Sequence, residues 1–251
     1  MPTPSTARMH DFEVVSNQEI ADGIFSLVIS APKLASALKP GQFVNIAVPG
    51  DASSLLRVPL SYYRADAEAG TVELWYAVVG DDTRRLSQMG PGSTSNLLGP
   101  GGRGWMVPEG TRKALLVAGG IGVPPVLCLA DKLAEQGVAV DVCLGFGTAS
   151  KAVGVDEFRA LGATVNVCTD PAAELLGEGG YDYVASCGPA VMMKKVAAAA
   201  AEASVYCEVS LERMMSCGFG ACNTCNVETV DGMKGACMCG PVFDASKVVV
   251  F

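Results

Sequence analysis

Over roughly its first hundred residues the chain has short apolar runs separated by polar and turn-forming residues, a pattern typical of β-strands. Runs rich in β-branched and aromatic residues lie at 12–17, 23–31, 42–48, 55–64 and 71–79. Turn-forming pairs such as Pro40-Gly41, Pro91-Gly92 and Gly99-Pro100 separate or close them. Because short strands with frequent turn signals are typical of barrels, we predict an antiparallel β-barrel over residues 1–104.

After Trp105 the pattern changes to strands that alternate with helices. Apolar runs at 114–118, 138–144, 163–168 and 181–186 predict strands. The stretches that follow predict helices ending near Gln136 and at 155–161 and 189–203. This order is typical of a parallel sheet flanked by helices. We therefore predict a β + α/β fold, with a Rossmann-like domain over 105–206 and a C-terminal segment over 207–251.

Composition and charge exclude several classes of function. The chain has 251 residues, half of them apolar, so it can bury sizeable cores. A net charge of −8 argues against nucleic acid and anionic membranes as partners. The single histidine, His10, excludes Ser-His-Asp and Cys-His catalysis and any His-ligated metal. We assign no catalytic residue.

The cellular compartment follows from the cysteines and the N-terminus. The first twelve residues have no apolar core and do not form a signal peptide. The longest uncharged run, 114–130, contains Gly119-Gly120 and Pro124-Pro125, so a buried strand, turn and helix explain it better than a membrane span. Ten cysteines at this chain length, several of them in one motif, favour a reducing compartment. We expect a cytoplasmic protein.

A group of closely spaced cysteines near the C-terminus carries the strongest chemical signal. They are Cys217, Cys222 and Cys225, followed by either Cys237 or Cys239 as a fourth. The spacing C-x4-C-x2-C…C is typical of plant-type [2Fe–2S] sites, whereas a four-cysteine zinc site usually has two short knuckles. Gly218 and Gly220 permit the positive φ that a loop around a cluster needs. The sequence therefore predicts a [2Fe–2S] cluster.

Two weaker motifs lie where parallel strands should end. Gly120, Gly122 and Pro125 form G-x-G-x-x-P, which lets a chain approach a diphosphate. A tight turn without a ligand explains this motif alone about equally well, but its position at the start of a βαβ pattern favours a nucleotide. Cys187-Gly188-Pro189 should lie at the same sheet edge, although on local sequence a buried cysteine before a Gly-Pro turn is the simpler interpretation.

The order of the motifs resembles the electron-transfer subunits of type B dihydroorotate dehydrogenase, in the ferredoxin–NADP reductase superfamily. The resemblance lies in P-G-Q-F at 40–43, R-V-P-L-S at 57–61, LLVAGGIGVPP at 115–125, CGP at 187–189 and the cysteine region 210–243. The family's C-x-D-G-P-V-F ending is C-M-C-G-P-V-F here. The resemblance thus places Cys237 at the fourth ligand and Cys239 at the family's Asp.

The resemblance implies that NADH gives a hydride to FAD between the two domains, and that FAD passes electrons singly to the cluster. The cluster then supplies a flavin-containing catalytic subunit, in a heterotetramer that serves pyrimidine biosynthesis. The chain would be the electron-transfer component rather than a catalyst alone. The implied cofactor contacts are Arg57, Leu60, Ser61, Trp75, Tyr76, Ala77, Asp82 and Thr83 for FAD, and Gly120, Gly122, Cys187 and Gly188 for NAD(H).

Several departures from the family's pattern affect the nucleotide sites. The arginine that pairs with FAD phosphate falls at Val58, one residue after Arg57, and a second family arginine falls at Ala77. The family's G-T is Asp82-Thr83, and a glycine-rich stretch is cut to Thr169-Asp170-Pro171. Two alternatives therefore remain open: a relay subunit of another redox complex that has lost NADH and possibly FAD, and a self-sufficient NAD(P)H:acceptor reductase.

The cluster loop, about 215–226, is predicted to face the catalytic subunit. Because the chain has no general acid or base of its own, its electrons must leave. Met214, Met215 and Phe219 would offer soft apolar surface of the kind found in interface cores. Packing of these three side chains inward on the second domain explains them equally well.

Overall fold

The computed structural model describes residues 7–50, 56–167 and 179–251. Its first part is a seven-stranded antiparallel sheet that curls into a half-barrel, with spatial order β4-β3-β7-β1-β2-β6-β5. The strands are β1 (Arg8–Ala21), β2 (Ile24–Ser30), β3 (Phe43–Ile46), β4 (Val58–Ser61), β5 (Arg64–Asp66), β6 (Thr71–Ala77) and β7 (Thr94–Gly101). Two short helices, α1 (Pro32–Ala35) and α2 (Asp81–Ser87), lie between strands. The predicted antiparallel barrel architecture is confirmed in this open form.

Gly99-Pro100, which the sequence suggested as a turn, lies instead inside β7. The glycines of this strand make room for the side chains of β3. A Cβ on Gly99 would lie 2.9 Å from Val44 Cγ1, and one on Gly101 would lie 2.6 Å from Phe43 Cζ. These glycines are therefore packing positions, because the neighbouring strand leaves no space for a side chain.

The second part is a six-stranded sheet of order β10-β9-β8-β11-β12-β15, parallel except for β15. Its parallel strands are β8 (Lys113–Gly119), β9 (Ala139–Gly145), β10 (Thr164–Val167), β11 (Tyr183–Cys187) and β12 (Tyr206–Ser210). The helices are α3 (Val123–Glu135), α4 (Val155–Ala160) and α5 (Ala190–Glu202). The predicted Rossmann-like alternation is confirmed. The shortened stretch Thr169-Asp170-Pro171 lies outside the described residues.

The C-terminal segment contains the hairpin β13 (Asn226–Thr229) and β14 (Gly232–Gly235), then α6 (Ala236–Cys239) and β15 (Val242–Asp244). β15 pairs antiparallel with β12 and so extends the sheet of the second part. The predicted domain boundary at 206/207 falls at the start of β12. It remains a prediction, and the sheet runs across it.

The cluster loop is held where the three parts meet. Met215, Cys225 and Cys237 share one buried apolar cluster with residues of β8, β11, β12 and α5, and Phe43 of β3 belongs to the same cluster. Burial of this shared surface fixes the loop against both the half-barrel and the parallel sheet. None of the described helices combines the length and the apolar character that a membrane span requires.

Candidate functional site

The loop that begins at Cys217 has the backbone conformation expected from its glycines. Gly218 has φ +75° and Gly220 has φ +89°, values that side-chain-bearing residues rarely adopt. A Cβ on Gly220 would lie 2.7 Å from Met238 Cγ, so this glycine also allows the loop to pack closely on α6. The predicted positive φ at both glycines is confirmed.

The four predicted ligand thiols form two pairs. Cys217 and Cys222 are hydrogen-bonded neighbours, as are Cys225 and Cys237. A Cβ built on Gly235 would lie 3.9 Å from Cys225 Sγ and 4.0 Å from Cys237 Sγ, so these two sulfurs lie on the same side of that residue. In a [2Fe–2S] cluster each iron takes two cysteine thiolates. Two pairs of thiols therefore fit this cluster.

Backbone N–H groups point at the sulfurs. Ala221 N–H donates to Cys217 Sγ at 3.3 Å, and Cys237 N–H donates to Cys225 Sγ at 3.4 Å. Such bonds stabilise thiolates and influence the properties of a cluster from its surroundings.

The described residues do not form a site in which three or more His, Cys, Asp or Glu side chains surround a single metal ion.

The four thiols differ in exposure and in acidity. Cys222 is exposed, and hydrogen bonds with Thr224 and Cys217 lower the pKa of its thiol to about 6. Cys237 is buried, and desolvation together with the neighbouring Cys225 raises the pKa of its thiol to about 12. The loop thus has one edge in solvent and one edge inside the protein. Cys239 is a half-buried free thiol.

A cavity of about 540 Å³ lies beside the loop and touches all three parts of the chain. The half-barrel contributes Leu60 and Ser61 from β4, the parallel sheet contributes Cys187, and the C-terminal segment contributes Met214 and Met215. The volume lies within the range of cofactor sites. Of the residues predicted to contact flavin or nucleotide, it brings together Leu60, Ser61, Trp75, Tyr76, Ala77, Thr83 and Cys187.

Arg57 does not line this cavity. Its guanidinium donates to Asn96 O at 3.2 Å and to Asn96 Oδ1 at 2.6 Å, on the neighbouring β7. Val58, the next residue, lines the cavity instead, together with the rest of β4. The side facing the cavity therefore presents an isopropyl group where the family's pattern has a guanidinium.

Asp82 and Thr83 are engaged in holding the start of α2. The hydroxyl of Thr83 accepts hydrogen bonds from Val79 N at 2.9 Å and Gly80 N at 3.0 Å. The carboxylate of Asp82 forms an ion pair with Arg85 in the same helix and does not line the cavity. The Asp82 charge is thus partly neutralised within its own helical turn.

A second cavity, of about 360 Å³, adjoins the first at the carboxyl edge of the parallel strands. Gly120 and Gly188 line it, as predicted for nucleotide contacts, while Gly122 does not. A Cβ on Gly122 would lie 2.3 Å from Cys187 O, so this glycine allows the turn after β8 to pack against the end of β11. Its place in the G-x-G-x-x-P motif has a packing explanation.

The sequence did not predict that the residues at and just after the carboxyl end of β12 line a cavity. Glu212 and Arg213 line both cavities, and Ser210 and Leu211 line the larger one. The available signal was position, because they follow a strand whose carboxyl end lies at the ligand-binding edge of an open α/β sheet. Arg213 alone carries a positive charge among the described residues lining these two cavities, and its guanidinium donates to Val250 O at 2.9 Å.

The apolar residues near the loop divide between the two predicted environments. Met215 is buried at 8% exposure, whereas Met214 is 79% and Phe219 50% exposed. Val79, on the cavity rim, is also exposed. Exposed apolar side chains, two of them close in sequence to the exposed Cys222, are the type of surface that partner proteins cover.

The family model and the curated relatives that this chain resembles in sequence all concern dihydroorotate dehydrogenase B. The family described as the iron–sulfur cluster binding domain of dihydroorotate dehydrogenase B matches residues 212–249. The dihydroorotate dehydrogenase B (NAD(+)) electron transfer subunit of Geobacillus sp. (strain WCH70) is 37% identical over 259 residues, covering 97% of this chain and 99% of that protein. The subunit of the same name from Bacillus caldolyticus is 38% identical, covering 94% and 97%.

Among solved structures, a chain of the NADH-dependent reduced ferredoxin-NADP oxidoreductase, studied for flavin-based electron bifurcation, superposes with a TM-score of 0.85. It is 31% identical and the match covers 94% of this chain and 89% of that one. The ferredoxin reductase of carbazole 1,9a-dioxygenase superposes with a TM-score of 0.64 at 19% identity, over 79% and 67% of the two chains. The second likeness concerns the fold alone.

Proposed function

Because the chain belongs to the family of dihydroorotate dehydrogenase B electron transfer subunits, we propose that it carries electrons from NADH to a flavin-containing catalytic subunit. The observation that carries the proposal is the 540 Å³ cavity, whose wall is shared by the half-barrel, the end of β11 and the cysteine-loop segment. A flavin there would lie against all three parts of the chain. When bound, the flavin accepts a hydride from the nicotinamide and releases electrons singly to the iron–sulfur cluster.

The cavity suits an isoalloxazine ring. Leu60 and Ile121 give apolar walls, and the hydroxyl of Ser61 can donate to a ring nitrogen. Burial raises the pKa of Cys187 to about 12, so this cavity residue remains a neutral thiol near the ring. The adjoining cavity at Gly120 and Gly188 is our proposed nicotinamide-nucleotide site.

The fit is weaker at the diphosphate. Val58 and Ala77 lie in the wall of the cavity, and Arg57 is turned to Asn96. Among the described residues of the wall, Arg213 is the only cation, and it follows the carboxylate residue Glu212. A charge-assisted contact to phosphate is about twice as strong as a neutral one. We propose that FAD is bound mainly through its ring and is released more readily at high salt.

We propose Cys217, Cys222, Cys225 and Cys237 as the four cluster ligands. Their thiols form two neighbouring pairs with N–H groups aimed at them. Cys239 instead falls at the Asp position of the family's C-x-D-G-P-V-F ending. The exposed Cys222 lies beside the exposed Met214 and Phe219 in sequence, so we place the catalytic subunit on this edge. The assembly we propose is a cytoplasmic heterotetramer, with a two-fold axis relating two pairs of subunits.

The test is an anaerobic titration of the purified complex with NADH, followed by visible spectroscopy and by iron and flavin analysis. We expect one FAD and one [2Fe–2S] cluster for each copy of this chain, both reduced by NADH. Protein that holds iron but no flavin at any salt concentration would favour the relay alternative. A lone monomer that reduces dyes with NADH at full rate and binds no catalytic subunit would favour the self-sufficient reductase.

A further inference from the structure

Asn45 is a buried polar residue on β3 whose amide nitrogen has no hydrogen-bond partner. The side chain is 3% exposed, and Nδ2 is in contact with neither solvent nor a protein acceptor. Its neighbours on the strand, Val44 and Ile46, belong to the half-barrel core. Since successive residues of a strand point to opposite faces, Asn45 points away from that core. A buried amide donor without an acceptor is costly, and such groups in native proteins call for an explanation.

The unpaired nitrogen is aimed at the cysteine loop. A Cβ built on Gly218 would lie 2.2 Å from Asn45 Nδ2 and 3.0 Å from its Cγ. Gly218 directly follows Cys217 and has φ +75°. Because Gly218 has no side chain, the amide of Asn45 in the half-barrel can lie directly against the backbone of the loop.

Phe43, two residues earlier on the same face of β3, points to the same region. It shares an apolar cluster with Met215, Cys225 and Cys237, and it also lines the flavin cavity. In the β3–β4 ladder, Asn45 is opposite Pro59 and Phe43 is opposite Ser61. This face of β3 thus lies between the proposed flavin site and the cysteine loop.

We propose that the amide of Asn45 donates an N–H···S hydrogen bond to the cluster or to the Cys217 thiolate and thereby raises the reduction potential of the cluster. The inference rests on the proposed function, because it requires the cluster in this loop. Hydrogen bonds to the sulfurs are among the factors that set the potentials of iron–sulfur centres. The reduced cluster carries one more negative charge, so a donor stabilises it more than the oxidised form.

The electron balance is simple. One electron enters the cluster from reduced flavin and one leaves it for the catalytic subunit, while the amide of Asn45 keeps both of its protons. Asn45 acts as a positioning and tuning residue rather than as a carrier of electrons or protons. A higher cluster potential favours electron transfer from the flavin. At equilibrium the electron then resides on the cluster, rather than on the flavin, in a larger fraction of the molecules.

The test is a redox titration of the cluster followed by electron paramagnetic resonance, in the assembled complex. Asn45→Leu removes the donor with little change of volume, and Asn45→Asp keeps the shape but replaces the donor by an acceptor. We expect both variants to hold iron and to have a lower midpoint potential. The expected change in the ratio of reduced to oxidised cluster is about tenfold, which is 59 mV for a one-electron couple.

Ile46→Val is the matched control, because it disturbs the same strand on the core-facing side. It should leave the midpoint potential unchanged. If the leucine variant does not fold, Asn45→Ala, which also removes the donor and adds no charge, decides the question. Variants that keep the cluster at the wild-type potential would overturn the role of Asn45 and leave the proposed function standing. Wild-type complex without a [2Fe–2S] cluster would instead overturn the proposed function itself.

Discussion

Arg103, which follows β7, forms an ion pair with Glu208, a residue of β12 whose side chain is fully buried. The same carboxylate accepts hydrogen bonds from Met106 N and from the hydroxyl of Tyr183, both at 2.8 Å. The backbone N–H of Arg103 donates to Gly240 O, just beyond α6. This ion pair therefore joins the half-barrel, the parallel sheet and the cysteine segment at one point.

Replacement of Arg103 by Met should destabilise the protein by about 3–5 kcal/mol, because it leaves a buried carboxylate without its cation. The double variant Arg103→Met/Glu208→Gln should recover much of the loss, since the amide oxygen can still accept from Tyr183. Urea unfolding measures both free energies. Arg159→Met, which breaks an exposed ion pair with Asp156, should cost at most about 1 kcal/mol. Equal losses in Arg103→Met and Arg159→Met would contradict this account.

Cys222→Ser should abolish the cluster and loosen the C-terminal segment, because thiolate ligation contributes to the folding free energy of small metal loops. Cys239→Ser, its matched control near the same loop, should keep full iron content. Iron analysis and the visible spectrum measure both. Loss of iron in Cys239→Ser together with its retention in Cys237→Ser would reverse our assignment of the fourth ligand.

Val58→Arg should tighten FAD binding, because it places a guanidinium in the wall of the cavity. A hydrogen bond to a charged group contributes roughly 1.5–3 kcal/mol, which corresponds to at least about a tenfold lower dissociation constant. Arg57→Leu should leave FAD affinity unchanged, since that side chain binds Asn96. Flavin fluorescence at low and high salt measures the affinities. Weaker FAD binding in Arg57→Leu with no gain in Val58→Arg would refute this orientation of the strand.

Burial raises the pKa of the Cys207 thiol from 9.0 to about 12. The folded protein therefore keeps this proton in a range where the unfolded chain loses it. The stability that this thiol contributes is complete below pH 9.0 and is lost as pH rises toward about 12. Cys207→Ala should have a flatter decline of unfolding free energy between about pH 9 and about pH 12, and should retain its iron. If the slope of unfolding free energy against pH is unchanged in this variant, burial does not raise the pKa of the Cys207 thiol.

Met214→Glu and Phe219→Glu should weaken binding of the catalytic subunit and leave the iron and flavin content intact. Both side chains are exposed at the cysteine loop, and a charge introduced at an apolar interface core is costly to desolvate. Met9→Glu, at an exposed position of β1, serves as the control. Size-exclusion chromatography of co-expressed subunits measures the assembly. Wild-type assembly in both loop variants would place the partner on another surface.

The features of this protein that its sequence determines are those whose governing interactions are local. The cysteine spacing and the glycines at 218 and 220 define a tight loop within a few residues, and the structure has the positive φ expected there. The strand runs of the half-barrel and the strand–helix alternation after Trp105 were likewise predictable, because the spacing of apolar residues in each element shows which of its faces is buried. The family resemblance added the order of these parts.

Only the tertiary structure decided the contacts between distant segments. It placed Asn45 against Gly218, paired Arg103 with Glu208, and brought Glu212 and Arg213 into both cavities. It also gave Gly122 a packing contact with Cys187 and kept Gly99-Pro100 within a strand. A sequence pattern specifies which face of an element is buried but not which distant residue will cover it. That choice depends on the register of strands and the packing of whole elements, which are fixed only when the chain folds.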